Sequence, residues 1–257
     1  MKVFKFFLLA VLTCCFSSCL DITEQITVRE NGSGEFAVNM DMSKVVDMMQ
    51  AFMPPDQMKE MEKARDTTIN LKDIADTSSA LSADQKALMK DATLRMQMNM
   101  AEKVLKVDMT YPFKNMSDLQ KLYTNLGEAG TNMGAIMNNI NPSAPAPPTG
   151  GREPEMKMIS AYFDLETKNH SITRKLNKEK YAKINDDAML QQMKQMGEMA
   201  GALGAATMNT VIKLSSPAKK ITGSKAELSA DKKIVMLKNE LMNIFDHPEV
   251  FEFTIEY

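Results

Sequence analysis

Apolar positions recur along this chain with two different periods. After Asp21, the residues Ile22, Glu24, Ile26 and Val28 alternate with polar neighbours, ENGSGE interrupts, and Phe36, Val38, Met40 and Met42 alternate again. A period of two puts alternate side chains on one face of a strand, and Asn31-Gly32 tolerates the positive φ of a tight turn, so a β-hairpin is expected. Leu94, Met96, Met98 and Met100 repeat the alternation, and Val104 to Tyr111 follows a charged turn, giving a second hairpin. MISAYFDLETKNHSITRKL predicts a third, turning near Lys168-Asn169, and MNTVIKLSS, KKIVMLKNE and EVFEFTIEY predict strands in the tail. TTINLKDI reads as a short strand.

Between these runs the period lengthens to that of a helix. Ser43 is placed to cap a helix burying Val45, Val46, Met49 and Phe52 and stopped by Pro54-Pro55, with a second helix over 56–64. Ser82 and Gln85 form a capping box for a helix to Lys90, and Ser117 with Gln120 does the same for one burying Leu119, Leu122, Leu126, Met133 and Ile136. From Asn185 to Leu203, Met189, Met193, Met196, Ala200 and Leu203 form one helical stripe. Hairpins interspersed with helices, without regular βαβ alternation, define an α+β class in which antiparallel hairpins pack against several helices. Residues 142–154 hold five of the ten prolines, an extended loop that makes 141–155 a candidate point of subdivision within a domain running from 22 to 257. Two glycine-rich patches, LGEAGTNMGAIM and MGEMAGALGAATM, read either as close packing through small residues or as traces of an internal duplication.

The N-terminus changes the picture from fold to address. Lys2 and Lys5 precede an apolar run from Phe6 to Phe16, which suits a signal peptide and falls short of the roughly 20 residues of a membrane helix. The run ends in Phe16-Ser17-Ser18-Cys19, similar to a bacterial lipobox with Phe in place of the usual Leu. On this reading residues 1–18 are removed with Cys14 and Cys15, Cys19 is acylated, and residues 19–21 form a short lipid tether. An ordinary signal peptide would leave Cys19 as a single free thiol without a partner. Leu20 stands where an aspartate would act as a retention signal, so the expected address is the outer membrane. Loss of Lys2 and Lys5, with no acid removed, takes the formal net charge from −2 to −4. That balance gives no electrostatic basis for binding nucleic acid.

Methionine is the compositional anomaly, 25 of 257 residues, with no tryptophan and two histidines. MDM, MQMNM and MKM offer thioethers two apart, and Met193, Met196 and Met199 three apart, a ligand type that Cu(I) accepts. The same spacings serve buried strand and helix faces, where methionine fills a core as a flexible hydrophobe. His170 at a turn and His247 before Pro248 lack the spacing of a zinc site. Gly-x-Ser-x-Gly, Walker and dinucleotide-binding patterns are absent, Gly32-Ser33-Gly34 belongs to a turn, and Asp186-Asp187 reads as part of a solvated helix face. No catalytic, cofactor or metal residue is assigned. The expected role is a binding or structural one, held to the membrane through Cys19 and directed at a lipid, a glycolipid or an envelope protein. A methionine-based copper carrier and an enzyme whose carboxylates converge from distant positions are the alternatives.

The lipobox-like end, the hairpin ITVRENGSGEFAVNM with Asn31, Gly32 and Gly34, and the run VIKLSSPAKKITGSKAELSADKKIVMLK with Pro217, Ile221 and Asp231 resemble the LppM-like bacterial lipoproteins. That resemblance implies an α+β domain held at the cell envelope, interaction with lipid or glycolipid, and no catalytic residues. The chain departs from the family in lacking tryptophan and a C-terminal membrane helix.

Overall fold

The computed structural model describes residues 20–44, 46, 64–77, 83–129, 159–168, 170–187, 190–191, 194, 206–223 and 225–257. The class is α+β. Twelve strands lie in two sheets among these residues: β1 (Asp21–Val28), β2 (Gly34–Asp41), β3 (Arg65–Asn70), β4 (Thr93–Asn99), β5 (Val104–Phe113), β6 (Phe163–Lys168), β7 (Ser171–Leu176), β8 (Thr207–Lys213), β9 (Lys220–Gly223), β10 (Ala226–Leu228), β11 (Ile234–Glu240) and β12 (Phe253–Glu256). The large sheet has the order β10-β11-β8-β1-β2-β5-β4-β3 and the small one β6-β7-β12-β9. Every pairing is antiparallel except β1 with β8, which run parallel from Asp21↔Thr207 to Thr27↔Lys213. Strands from both sides of the proline-rich segment therefore share one sheet; the segment itself lies outside the described residues.

The three expected hairpins form as the alternation requires. In the first, Ile26 pairs with Phe36 and Glu24 with Val38, and Gly32 takes φ 77° while Asn31 Oδ1 accepts the Ser33 amide. Gly34 is needed for a different reason: a Cβ there would fall far inside contact distance of the Thr27 carbonyl and the Phe113 ring. In the second hairpin Leu94 pairs with Met109 and Met96 with Val107. Leu94, Met96, Val107 and Met109 are all buried, so period two here does mark one core face.

The α-helices bounded among the described residues are α1 (Leu71–Thr77), α2 (Ala83–Met89), α3 (Met116–Ala129), α4 (Lys178–Tyr181) and α5 (Asn243–Asp246), and residues 43, 44, 46, 190, 191 and 194 are also helical. Several boundaries differ from the sequence reading. Ile159–Tyr162 and Pro248–Phe251, which overlap the expected strand runs MISAYFDLETKNHSITRKL and EVFEFTIEY, are 3-10 helices, so β6 and β12 begin only at Phe163 and Phe253. The strand expected over TTINLKDI stops at Asn70, because the Asn70 side chain accepts the Lys72 amide and turns the chain into α1. The cap of α3 is Asn115, not Ser117: Asn115 Oδ1 accepts the Asp118 amide at 2.9 Å, and its Nδ2 donates to Asp118 Oδ2 at 2.8 Å. This reciprocal pair starts the helix earlier and aims Leu119, Leu122, Tyr123 and Leu126 at the core. At the first hairpin's exit Ser43 is already helical, its amide donating to Asp41 Oδ1 and its hydroxyl accepting the Leu105 amide. Strands β9 and β10 were not anticipated. They are four and three residues long with one side exposed, too short to display a period.

One face of the large sheet, α3 and the inner face of the small sheet enclose a single apolar core. Phe36 meets the Tyr123 ring edge-on at 5.9 Å, and Phe163 of the small sheet packs 6.1 Å from Phe251. The other face of the large sheet is polar, as at Asn39, which donates to Asp108, and at Arg95, which forms a bidentate pair with Asp66. No helix among the described residues is long and apolar enough to cross a membrane.

Candidate functional site

The densest ionisable chemistry lies between the two sheets. In β7 the inward positions are Ile172 and Arg174, and Arg174 is 1% exposed despite its charge. On the facing sheet, Glu24 occupies an inward position of β1 between Ile22 and Ile26 and is 2% exposed. Arg174 Nη1 donates to Glu24 Oε2 at 2.8 Å, Nη2 to Thr210 Oγ1 at 3.1 Å, and Nε to the Phe251 carbonyl at 2.6 Å. Thr210 is the cross-strand partner of Glu24 on β8, so the parallel pairing of β1 and β8 builds this acceptor pair. Nη1 also reaches the Tyr123 hydroxyl at 3.5 Å, which ties in α3. The guanidinium carbon lies 4.7 Å from the centroid of Phe253, its cross-strand neighbour, and 5.5 Å from that of Phe163.

The electrostatics follow from burial. Loss of water pushes the Glu24 carboxyl above the usual carboxylate range, while the adjoining Arg174 opposes that shift. The Tyr123 hydroxyl is pushed far up, first by burial and then by the Glu24 charge, and stays neutral while accepting from Arg174. Ser160 sits beside the carboxylate and helps to lower its pKa, and its buried hydroxyl has no other partner among the described residues. Charges this enclosed neutralise one another and bridge the two sheets. A buried pair of this kind stabilises little relative to apolar packing, but losing one partner is costly.

Residues singled out in the sequence fall elsewhere. Cys19 lies outside the described residues, but its neighbour Leu20 is anchored, its carbonyl accepting the Thr207 amide. Strand β1 begins at Asp21, one residue inside the stretch expected to serve as tether. Of the methionine clusters, Met96 and Met100 are buried and Met98 is half-buried; Met193, Met196 and Met199, and both glycine-rich patches beyond Ala129 and before Ala206, lie outside the described residues. His170 takes φ 55° at the β6–β7 turn and meets Tyr257 edge-on at 5.5 Å. His247 is exposed, with Nδ1 3.3 Å from Glu249 Oε1. Among the described residues no group of three or more His, Cys, Asp or Glu is arranged to hold a metal ion.

Asp187 corrects the expectation of a solvated acidic pair. It is buried, accepts the Tyr162 hydroxyl at 2.7 Å and accepts the Leu190 amide at 3.0 Å, a helix cap turned inward. Burial and the Asp187 carboxylate push the Tyr162 hydroxyl well above its ordinary pKa. Sequence reasoning also passed over Glu24 and Arg174. The available signal was a charge at an inward position in each of two alternating runs, Ile22-Glu24-Ile26 and Ile172-Arg174-Leu176, with opposite signs.

No family model matches the chain, and no curated protein matches it. Among solved structures it is similar to the NMR structure of the Mycobacterium tuberculosis LppM protein folded domain, with 6% identity, a TM-score of 0.36, and coverage of 94% of this chain and 92% of that one. This is a weak likeness of outline, and it transfers neither residue nor ligand.

Proposed function

We propose that this chain is a lipid-anchored protein of the cell envelope, held through acyl groups on Cys19, with a binding or structural role toward a lipid or an envelope protein. The observation that carries the reading is the junction of Phe16-Ser17-Ser18-Cys19 with β1, where an apolar, lipobox-like leader ends two residues before a strand in the interior of the large sheet. Such a junction gives Cys19 a use that an unpaired thiol lacks. Each buried methylene of an acyl chain contributes about 0.8 kcal/mol to membrane affinity, so several chains on one cysteine hold the domain firmly. Leu20 after the cysteine favours the outer membrane as its destination. The non-catalytic reading is supported by the enclosure of Glu24 and Arg174, whose side chains are 3% and 1% exposed and satisfied by each other.

The test is metabolic labelling with palmitate, mass spectrometry of the mature N-terminus, and density-gradient fractionation of the envelope. Expected are label and an acylated N-terminal Cys19 in the outer-membrane fraction, both lost in Cys19→Ser. An unlabelled protein, or a Cys19→Ser variant that sediments with membranes as before, overturns the reading.

A further inference from the structure

The register of the large sheet gives the molecule two chemically different ends. From β1 outward, Asp21 lies level with Asp41 and Lys106 on one side and with Thr207 and Glu240 on the other. Just beyond this row come Leu20, Met42, Val104, Leu105, Ala206 and Met242, all apolar and all half-buried. The rim is stitched by backbone bonds from Thr207 to Leu20, Met42 to Leu105 and Leu241 to Ala206. At the opposite end, reached after the eight residues of β1 or about 23 Å, the exposed residues are Arg29, Glu30, Asn31, Lys114, Lys213, Asp231 and Lys232.

We infer that the apolar rim around Leu20 is the surface that rests on the lipid bilayer, with the Arg29–Asn31 end pointing away from it. The inference rests on acylation of Cys19 as proposed above. Two peptide steps separate Cys19 from Asp21 and span at most about 7 Å, comparable to one headgroup layer of about 5–7 Å. The Leu20 carbonyl is itself held by the Thr207 amide, so the tether has almost no slack with which to turn the domain over. At this end the half-buried apolar side chains lie among charges of both signs. Lys106 is paired with Asp41 at 3.2 Å, and Glu102 and Glu240 accompany Lys44 and Lys103, so the rim carries both signs and needs no anionic headgroups.

The test compares lysine reactivity toward an amine-acylating reagent in two states: the mature lipidated protein on phosphatidylcholine vesicles, and the leaderless Cys19→Ser chain in solution. Lys44 and Lys103 are expected to lose at least threefold in labelling on the vesicles. Lys114, Lys213 and Lys232 should keep their solution reactivity within about twofold, which also checks that both chains share one fold. Equal labelling of all five in the two states, or protection of Lys114, Lys213 and Lys232 instead, overturns the orientation while leaving the anchor intact. Mass spectrometry of the same vesicle-bound sample separates the two failures, since an unacylated N-terminus removes the anchor and the orientation together.

Discussion

Replacing Arg174 by Met keeps much of its apolar stem and removes the guanidinium, which strands Glu24 in the core. Three donated hydrogen bonds of 2.6–3.1 Å disappear, to Phe251, Glu24 and Thr210, together with the contact over the Phe253 ring. Removing one partner of a buried ion pair costs about 3–5 kcal/mol, a large part of the 5–15 kcal/mol that typically holds a domain together. At about 2–4 °C per kcal/mol for a chain of this size, the melting temperature should fall by roughly 6–20 °C. The assay is far-ultraviolet circular dichroism through urea and thermal unfolding of the leaderless Cys19→Ser chain. Adding Glu24→Leu to Arg174→Met removes the stranded acid and should recover most of the loss, since apolar side chains can replace such a pair at little cost. The pH dependence has a definite sign. Burial holds the folded Glu24 pKa above its unfolded value, so its contribution to stability is complete at low pH and is lost as pH rises through the folded pKa. Without Arg174 to oppose burial that pKa climbs further, and the penalty of Arg174→Met should be clearly smaller at pH 5 than at pH 7. A loss below about 1 kcal/mol, or a double variant no better than the single one with no pH dependence, would refute the account of Arg174 as the counter-charge of a buried acid.

Three other perturbations test separate parts of the fold. Gly34→Ala should destabilise by about 1–3 kcal/mol or more in urea unfolding, because the new methyl meets the Thr27 carbonyl and the Phe113 ring and the hairpin must open. Asn115→Ala should cost about 1 kcal/mol through loss of the α3 cap, whereas Ser117→Ala should change unfolding little. Tyr162→Phe leaves Asp187 without its hydroxyl donor and should lower the urea midpoint at pH 7. Because burial raises the Tyr162 pKa, the native protein should hold this contribution up to the ordinary tyrosine range and lose it as pH rises further, a decline above pH 10 that Tyr162→Phe should lessen.

Local information was enough for much of this architecture. The Ile26–Val28 and Phe36–Met40 runs, the Asn31-Gly32 turn, the Leu94–Met100 alternation and the β6–β7 hairpin are written in residues that meet within a few positions of one another. Backbone chemistry of the turn and period-two burial act on that same short scale. The lipobox-like Phe16–Cys19 stretch is legible for a related reason, since a leader is recognised as a linear segment before the domain folds. The Asn115 cap is likewise a local contact, with Asp118 three residues on, that the sequence reading assigned to Ser117. Tertiary structure decided what links distant parts. The burial of Asp187 depended on Tyr162, 25 residues away. Whether Glu24 was a surface acid or a buried one depended on an arginine 150 residues away, and Thr210 joined them through the single parallel pairing of the large sheet. A charge placed in a core is tolerated only beside its counter-charge, and that neighbour is chosen by how two sheets pack, a relation that no local pattern along the chain records.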